Sequence, residues 1–396
     1  MTAGAAGAGG TAGRADGRTG PDVLAGRFAA QLLTGEPARS AVDVTRRLLA
    51  VQGQDPRGAR LAIRARSAGL CGADVDRALT AERSLLITWL NRGTLHLVCS
   101  EDYWWLHPLT TPPLFTASAR RLAQEGVPPG DADRAVAVIE ASLAADGPLT
   151  RAQLAERITA AGVRTEGQAI VHILLLASLR GQVVRGPMSG AQHAYVLVRD
   201  WLGAPPGPFD RDIALAELAR RYLAGHGPAD DRDLAKWAGL PLRDARRGLS
   251  AIAGELSQRD DGLADLARRG AAGRTRAAGK QAGSAPPAPA ARASAGAPPA
   301  PRLLGAFDPL LLGWVSRAPV LGGHQGIVTV NGLFRPFALV GGKAAATWSL
   351  SGGQLALTPF APLAAADEAA LLADADDVLR FLGLPPRPAR PGRADG

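Results

Sequence analysis

The chain of 396 residues is long enough for two or three domains with buried cores, and its 46% hydrophobic and 20% charged residues are ordinary for a globular protein. No apolar run reaches the length needed to cross a bilayer. Residues 1–20 are small and polar and lack the hydrophobic stretch of a secretion signal. These features argue against a membrane protein and an exported protein, so we expect a cytoplasmic one.

The net charge of +9 suggests a polyanionic partner, but the charge is unevenly distributed. Residues 266–302 carry seven positive charges and no acid, residues 387–396 add +2, and residues 1–20 add +1. The rest of the chain is left with about −1. Basicity therefore argues only weakly for DNA binding by the folded part, whose charges would have to lie on one face. Arginine-rich flexible segments would add salt-sensitive affinity for phosphates.

Cysteine and histidine spacing predicts no metal site and no cofactor. The two cysteines, Cys71 and Cys99, are too few for a disulfide framework or a CxxC clip. We expect free thiols, with a single pairing between them as the alternative. The six histidines show no HExxH or HxH spacing, and no phosphate-binding loop with the required glycine, lysine and hydroxyl spacing is present.

The N-terminal third predicts short helices followed by a hairpin. Four helices are expected, near residues 22–34, 40–51, 56–68 and 73–82. The segments LLITWL and TLHLV then predict two strands around a turn at Asn91–Gly93. Ser100 is placed to cap the helix that begins with EDYWWLHPL.

An internal repeat follows this region. Residues 147–150 (GPLT) precede RAQLAERI, and residues 227–230 (GPAD) precede DRDLAKWAG, so that Thr150 and Asp230 are placed as helix N-caps. A second helix follows each, and QVVRGPMSGAQHAYVLV then predicts a strand, a tight turn and a strand. A short helix, a second helix and a hairpin are typical of a winged helix.

We therefore predict a mainly α fold with small β hairpins and sheets, built from three tandem winged-helix modules. The predicted segments are a disordered N-terminus (1–20), module 1 with connecting helices (21–145), module 2 (146–206), module 3 (207–266), a flexible Ala/Gly/Pro/Arg insertion (267–302), a β-rich extension of module 3 (303–386) and a disordered tail (387–396). Winged helices serve as DNA-binding modules and also as protein-interaction or regulatory modules. The fold alone leaves both functions open.

The sequence VQGQDPR places two glutamines in a bend before a helix. Asp55 is a predicted N-cap, and Pro56 occupies the first helical position, where a missing N–H costs nothing. In an extended bend, Gln52 and Gln54 would point to the same side. Gly53 between them would let a second backbone approach closely. The alternative is a polar turn without function.

Arginines follow this bend at helical spacing. Arg57, Arg60 and Arg64 lie one turn apart on the predicted helix. They would meet DNA phosphates or form a solvated helix face, and spacing alone favours the solvated face.

Four stretches of the sequence resemble the AlkZ-like (also called YcaQ-like) winged-helix DNA glycosylases over about residues 22–357, without the insertion. They are LLAVQGQDPRGARLAIRAR, TWLNRGTLHLV, LLGAFDPLLLGW and GLFRPFALVGGKAAATW, in this order. The resemblance implies a monomer whose three winged helices form a concave, DNA-sized channel. It also implies excision of N-alkylated purines, including bulky adducts and interstrand crosslinks, in repair or in self-resistance to a DNA-alkylating agent.

The resemblance also implies which residues are catalytic. The family motif is Gln, an aliphatic residue, then Gln or Asp, so that Gln52 and Gln54 match the two polar positions. Gly53 departs from the motif, which bears on the rate and on the accepted adduct size.

The chemistry suits two amides. A purine alkylated at N7 or N3 is already cationic and leaves the sugar as a neutral base, through an oxocarbenium-like transition state. The enzyme then has only to place a water molecule below C1′ and direct negative dipole ends at the sugar, which Gln52 and Gln54 can do. Because the motif contains no lysine, hydrolysis by water without a Schiff base is expected, as in a monofunctional glycosylase.

The remaining candidates are expected to support these two residues. Contacts with double-stranded DNA are expected from Arg92, Thr94 and His96 near the first hairpin, with strand-end packing as the alternative. Arg335 on the terminal sheet is expected to reach a groove. Asp308 is predicted to cap a turn or, less favoured, to orient a site glutamine. The rival functions are a non-enzymatic winged-helix DNA-binding regulator and a protein-interaction scaffold.

Overall fold

Short helices and antiparallel hairpins follow one another along the chain. A computed structural model describes residues 20–267, 296–329, 332–385 and 390–391. The elements before the repeat are α1 (Pro21–Ala30), α2 (Ala41–Leu48), β1 (Val51–Gln52), α3 (Pro56–Arg64), α4 (Gly72–Thr80), β2 (Leu85–Leu90), β3 (Thr94–Cys99), α5 (Tyr103–Thr110), α6 (Leu114–Gln124) and α7 (Pro129–Asp146). The four predicted helices and both predicted strands are present, the helices somewhat shorter than expected. The helices α6 and α7 agree with the connecting helices expected in residues 21–145.

The two copies of the repeat have the predicted order of elements. The first copy contains α8 (Arg151–Ala160), α9 (Ala169–Leu179), β4 (Val183–Ser189), β5 (Gln192–Leu197) and α10 (Val198–Leu202). The long α11 (Arg211–His226) leads to the second copy, which contains α12 (Asp231–Ala238), α13 (Leu242–Ala251), β6 (Leu256–Gln258) and β7 (Ala264–Leu266). Both copies thus run helix, helix, hairpin. The division of the chain into three modules stays a prediction.

Side-chain caps begin several of these helices. Asp55, Thr150 and Asp230 each accept a hydrogen bond from a backbone amide in the first turn of their helix, as predicted. The prediction for Ser100 is wrong. Its hydroxyl donates to the carbonyl of Arg83 at 2.6 Å, and a 3-10 turn precedes α5.

One five-stranded sheet joins the first hairpin to the hairpin of the first repeat, in the order β1-β3-β2-β4-β5. The link is a short antiparallel pairing of Ile87 with Arg185. The sequence places these hairpins in separate modules, but the outer edge of β2 would present unpaired backbone groups if β4 did not cover it. The first two predicted modules therefore share a sheet.

This sheet separates two apolar cores, because alternate side chains of a strand point to opposite faces. One face contributes to the core around α2, α3, α4, α7, α8 and α9 with Leu85, Ile87, Trp89, Leu95 and Leu97. The opposite face contributes to the core around α5, α11, α12 and the C-terminal strands with Leu86, Leu90, Val98, Val184 and Val196.

The C-terminal region forms a second sheet with a helix across it. Its elements are β8 (Arg302–Leu304), α14 (Ala318–Leu321), β9 (Phe337–Val340), β10 (Lys343–Ser351), β11 (Gln354–Pro359), α15 (Ala365–Phe381) and β12 (Arg390–Pro391). The strand order is β12-β11-β10-β9-β8, and α15 packs against β8 and α3. The predicted small sheet is confirmed, whereas α15 is additional. No helix in the described part of the chain is long and apolar enough to span a membrane.

Two predicted boundaries need correction. The insertion was placed at 267–302, yet β8 begins at Arg302, whose guanidinium donates to the carbonyl of Ala65. Likewise Arg390 and Pro391, in the predicted disordered tail, pair in parallel with β11. Most of the insertion, the rest of the tail and nearly all of the N-terminal segment lie outside the described residues.

Candidate active site

The glutamine turn connects the edge strand β1 to α3. Val51 and Gln52 pair with β3, and the amide of Gly53 donates to the carbonyl of Leu95 at 2.7 Å. The turn is therefore anchored to the sheet on its strand side and to a capped helix start on the other. Its backbone geometry follows from these two fixed ends.

The two glutamine side chains lie on the same side of the turn, as predicted. Gln52 Nε2 donates to Gln54 Oε1 at 2.6 Å. Gln52 is only 6% exposed, whereas Gln54 is exposed. A carboxamide has one oxygen with two acceptor positions and two N–H donors, so a single mutual hydrogen bond leaves both amides able to bind a further group. The pair forms a polar ledge with a buried end and a solvent-facing end.

His96 lies directly across from Gln52 on β3, so both side chains project from the same face of the sheet. The imidazole Nδ1 is 2.9 Å from the carbonyl oxygen of Thr94 and donates to it. Burial, with the nearby charge of Arg92 as a smaller cause, lowers the pKa of His96 to about 3. His96 is therefore neutral, and its Nε2 carries a lone pair. It places no positive charge beside the glutamines.

Thr94 points to the same face as His96, two residues earlier on β3. Its hydroxyl oxygen is buried and has no hydrogen-bond partner among the described residues. Both residues were predicted to contact DNA. The structure places both residues on β3, on the sheet face that also carries Gln52.

The arginines of α3 differ in their surroundings. Arg57 is exposed and donates only to the carbonyl of Leu350 at 3.4 Å. Arg60 Nε donates to Asp76 at 3.1 Å. Arg64 is buried in ion pairs with two acids of α15. The predicted stripe of available arginines is therefore wrong at Arg64, because the unpredicted helix α15 covers that end of α3.

Arg92 and Arg335 lie near the surface on separate segments. Arg92, in the turn between β2 and β3, donates through Nη1 to the carbonyls of Lys236 and Trp237 at 2.9 and 2.6 Å. Arg335 is exposed just before β9. Neither arginine forms an ion pair with any residue that the structure describes.

Asp308 is fully buried and has two roles. Its carboxylate accepts from the backbone amide of Leu310 at 2.9 Å, so the favoured prediction of a turn cap is confirmed. It also accepts from Arg66 at 2.7 and 2.9 Å, and Arg66 in turn donates to Gln31. Its hydrogen bonds thus reach the residues after the end of α3 rather than the glutamine pair.

A backbone approach that requires a glycine occurs at Gly58 rather than at Gly53. A Cβ added to Gly53 would meet Leu97 and Ile87 at 3.5 and 3.6 Å, which is ordinary van der Waals contact. The backbone of β3 does lie against Gly53, as expected, but the spacing would also admit a Cβ and so does not require a glycine. A Cβ on Gly58 would overlap the carbonyl oxygen of Ala306, so this glycine lets α3 lie against the C-terminal region.

A cavity of about 330 Å³ opens beside the start of α3. Its wall is mainly apolar, with Asp55 and Arg57 as the polar members; the lining residues are Asp55, Pro56, Arg57, Leu61, Ala306, Pro336, Trp348 and Leu350. The cavity therefore adjoins the residues that directly follow Gln54.

Within the described residues, one group has the spacing of potential metal ligands. Ligand atoms of Cys99, Glu101 and Asp102 lie within 4.8 Å of one another. Both carboxylates are already engaged, since Glu101 pairs with Arg46 and Asp102 with Arg221. The absence of a metal stays a prediction. Both cysteines are free thiols, as expected.

A sheet-anchored pair of carboxamides next to a neutral imidazole can hold water against an already activated bond, and the helix–helix–hairpin repeat is typical of nucleic-acid binding. The fold and the site fit a DNA glycosylase. The chain belongs to the AlkZ-like family of DNA glycosylases, because the family profile described as "DNA glycosylase AlkZ-like" matches residues 45–381. The predicted family and enzyme class are confirmed.

A sequence match and a structural match extend this similarity to nearly the whole chain. An "Interstrand DNA cross-link repair glycosylase" from Streptomyces sahachiroi is 27% identical over 389 residues, which cover 93% of this chain and 98% of that protein. The solved structure of Streptomyces sahachiroi DNA glycosylase AlkZ matches with a TM-score of 0.70 and 25% identity, covering 94% of this chain and 99% of that one. The fold is thus shared from end to end.

Sequence reasoning assigned no role in the site to Lys236 and Arg317. The structure brings both close to Arg92, although they lie far apart along the chain. No local motif connects these positions, so only the tertiary fold reveals the group.

Proposed function

We propose that this glycosylase hydrolyses the N-glycosidic bond of cationic purines, alkylated at N7 or N3, in double-stranded DNA. The supporting observation is the hydrogen-bonded pair Gln52–Gln54, with one buried and one exposed amide on a turn fixed by β1 and α3. No amide releases or takes up a proton near neutral pH. Such a pair suits a substrate whose leaving group needs no protonation.

In this mechanism the alkylated base departs with the electron pair of the C1′–N bond and becomes neutral. Gln52 and Gln54 hold a water molecule below C1′ and direct their oxygens at the growing positive charge on the sugar. The water oxygen forms the new bond to C1′, and its proton passes to solvent. An unmodified base is a far poorer leaving group, so a weak catalyst of this kind is selective for damaged bases.

The substrate range is proposed to include bulky adducts and interstrand crosslinks. The Streptomyces sahachiroi relative is named for cross-link repair and aligns along almost its entire length. The cavity beside the start of α3 adds space next to the ledge. We propose that the enzyme works as a cytoplasmic monomer without a metal or cofactor, with three winged-helix modules around the duplex, in repair or in self-resistance to an alkylating agent.

Excision from alkylated DNA tests the proposal. The protein is incubated with N7-methylated DNA and with N7-crosslinked DNA, and heating in alkali then reveals strand breaks at guanines. Replacing Gln52 or Gln54 by alanine should slow excision by roughly 10²–10³-fold, as for loss of one group that stabilises charge in a transition state. The control Gln124→Ala removes an exposed amide on α6 and should leave the rate unchanged.

Two outcomes would contradict the proposal. Wild-type rates in the Gln52→Ala/Gln54→Ala double variant would exclude the amide pair as the catalyst. Tight binding without abasic sites would indicate a non-enzymatic regulator.

A further inference from the structure

Three cations from separate segments meet at the turn between β2 and β3. Arg92 belongs to the turn between β2 and β3, Lys236 to the last turn of α12, and Arg317 to the residue before α14. Backbone carbonyls connect them, since Arg92 donates to the carbonyl of Lys236 at 2.9 Å and Lys236 Nζ donates to that of Val315 at 3.0 Å. The three side chains therefore occupy defined positions.

Each of these cations keeps unused donors. Both carbonyl contacts of Arg92 use Nη1, and the ammonium of Lys236 uses one of its three donors. Arg317 donates through Nε to the carbonyl of Leu311 at 2.7 Å, and its guanidinium lies 5.0 Å from the ring centre of Phe334. The carbonyls and the ring thus orient the cations while leaving N–H groups for a ligand.

No carboxylate neutralises the three charges. Among the residues that the structure describes, none of the three cations forms an ion pair, whereas Arg60, paired with Asp76, is typical of many arginines here. The carboxylate that acts on Lys236 is Asp233, which is already paired with Arg27 and accepts from the amide of Val315. The group therefore carries uncompensated positive charge.

Burial, with mutual repulsion as a smaller cause, acts on the ionisation of these cations. Desolvation of the ammonium, with added repulsion from Arg317 and Arg92, lowers the pKa of Lys236. Desolvation, with added repulsion from Arg317, lowers the pKa of Arg92. An anion placed between these groups would favour their charged forms.

The group is close to the site of chemistry. Arg92 lies four residues before His96 in the same hairpin, and His96 faces Gln52. Four residues at the rise of an extended strand span at most about 13 Å, which is about four nucleotide rises of a DNA strand. A phosphate within a few nucleotides of the lesion would therefore be in reach.

We propose that Arg92, Lys236 and Arg317 form a clamp for one backbone phosphate of duplex DNA near the damaged nucleotide, a role that rests on the proposed function. The clamp holds the sugar–phosphate backbone so that C1′ of the lesion lies over the glutamine ledge. It reads no sequence, because phosphate contacts position the duplex without distinguishing its bases.

Salt dependence of binding tests the clamp separately from catalysis. The probe is a short duplex containing a tetrahydrofuran abasic analogue, which cannot be excised. Replacing one clamp cation by glutamine should reduce the slope of log Kd against log salt by about one. Lys236→Gln and Arg317→Gln are the test variants, and the charge-retaining Lys236→Arg and Arg317→Lys should keep the wild-type slope.

The matched control is Arg134→Gln, which removes an exposed arginine paired with Asp131 on α7 and should leave the slope unchanged. Neutral methylphosphonate linkages, introduced one at a time around the abasic site, then locate the phosphate. At the clamped linkage, the loss of affinity seen with the wild-type protein should be smaller in Lys236→Gln, whereas at other linkages the two losses should add.

Unchanged salt slopes in both glutamine variants would overturn the clamp, provided that melting temperatures show folded proteins. Equal effects of Lys236→Gln and Lys236→Arg would also overturn it, because packing rather than charge would then be responsible. Reduced slopes in a protein that excises no alkylated purine would retain the clamp and reject the proposed function instead.

Discussion

The polar side chains at the two ends of α3 form different kinds of contact. At the amino end, Gln52 and Gln54 bond to each other, and Arg57 reaches only a carbonyl. At the carboxyl end, Arg64 lies in ion pairs with α15, and Arg66 just beyond it lies in a fully buried pair with Asp308. The amino end thus keeps exposed hydrogen-bonding capacity for a ligand, while the carboxyl end is closed off by buried ion pairs.

The two ends of this short helix therefore have different roles: the carboxyl end fixes α3 in the fold, and the amino end presents the glutamine turn. Arg64 also donates to the carbonyl of Leu303, and Arg66 to Gln31, so that α3 is tied to β8 and to α1 at its carboxyl end. A helix held firmly at one end positions the turn at its other end without contacts that would block the substrate. Catalytic groups are best held by rigid elements whose own contacts lie elsewhere.

The largest expected effect comes from breaking the buried end. Replacing Asp308 by alanine leaves Arg66 buried without its carboxylate, which should lower the free energy of unfolding by about 3–5 kcal/mol. Urea denaturation measures the change. The control Asp376→Ala removes an exposed acid of α15 and should change stability by less than about 0.5 kcal/mol.

A loss below about 1 kcal/mol in Asp308→Ala would mean that the pair does not anchor α3, since a neutral replacement would then be tolerated. The conclusion that the carboxyl end of α3 anchors the helix would then be wrong.

A smaller effect concerns acid stability at the amino end. Because the folded pKa of His96, about 3, lies below its unfolded value of about 6.5, the unfolded chain binds the proton first as pH falls. The contribution of neutral His96 to the free energy of unfolding is therefore fully present above pH about 6.5 and is lost as the pH falls towards about 3. At pH 5 the loss due to His96 should be about 2 kcal/mol.

The variant His96→Asn isolates this effect, because the asparagine amide can still donate to the carbonyl of Thr94 but does not titrate. Denaturation at pH 7 and pH 5 should show an acid loss about 2 kcal/mol smaller than in the wild type. An equal loss in both proteins would assign the acid sensitivity to other buried histidines, such as His107 and His226, whose pKa values burial also lowers.

The sequence predicts the local features around the site better than the contacts between distant segments. The hairpin, the helix start at Asp55 and the common direction of Gln52 and Gln54 follow from short-range rules of capping and strand alternation. The burial of Arg64 depends on α15, more than 300 residues further along the chain. Helical spacing places an arginine on a face but does not reveal what covers that face.

The cation cluster illustrates the same limit. Arg92 is recognisable near a predicted hairpin, but Lys236 and Arg317 come from segments with no shared motif. Likewise Gly53 attracts attention by its place in the motif, whereas the glycine needed for close approach is Gly58, opposite Ala306. Both features depend on contacts between segments that lie far apart in the sequence, and local sequence patterns do not encode such contacts.

The smallest expected effect tests the contrast between Gly53 and Gly58. Gly53 has room for a Cβ against Leu97 and Ile87, and its backbone angle lies outside the left-handed region. Gly53→Ala should therefore raise the free energy of unfolding by about 0.4–1 kcal/mol, because the unfolded chain loses conformational freedom. Excision should continue at the wild-type rate or faster, since the ledge becomes stiffer.

The control Gly58→Ala should instead lower the free energy of unfolding by about 1–3 kcal/mol, because its methyl group would displace α3 from Ala306. Destabilisation by Gly53→Ala would show that the glutamine turn needs a glycine after all, and that the departure from the family motif is a requirement of this backbone rather than a tolerated change.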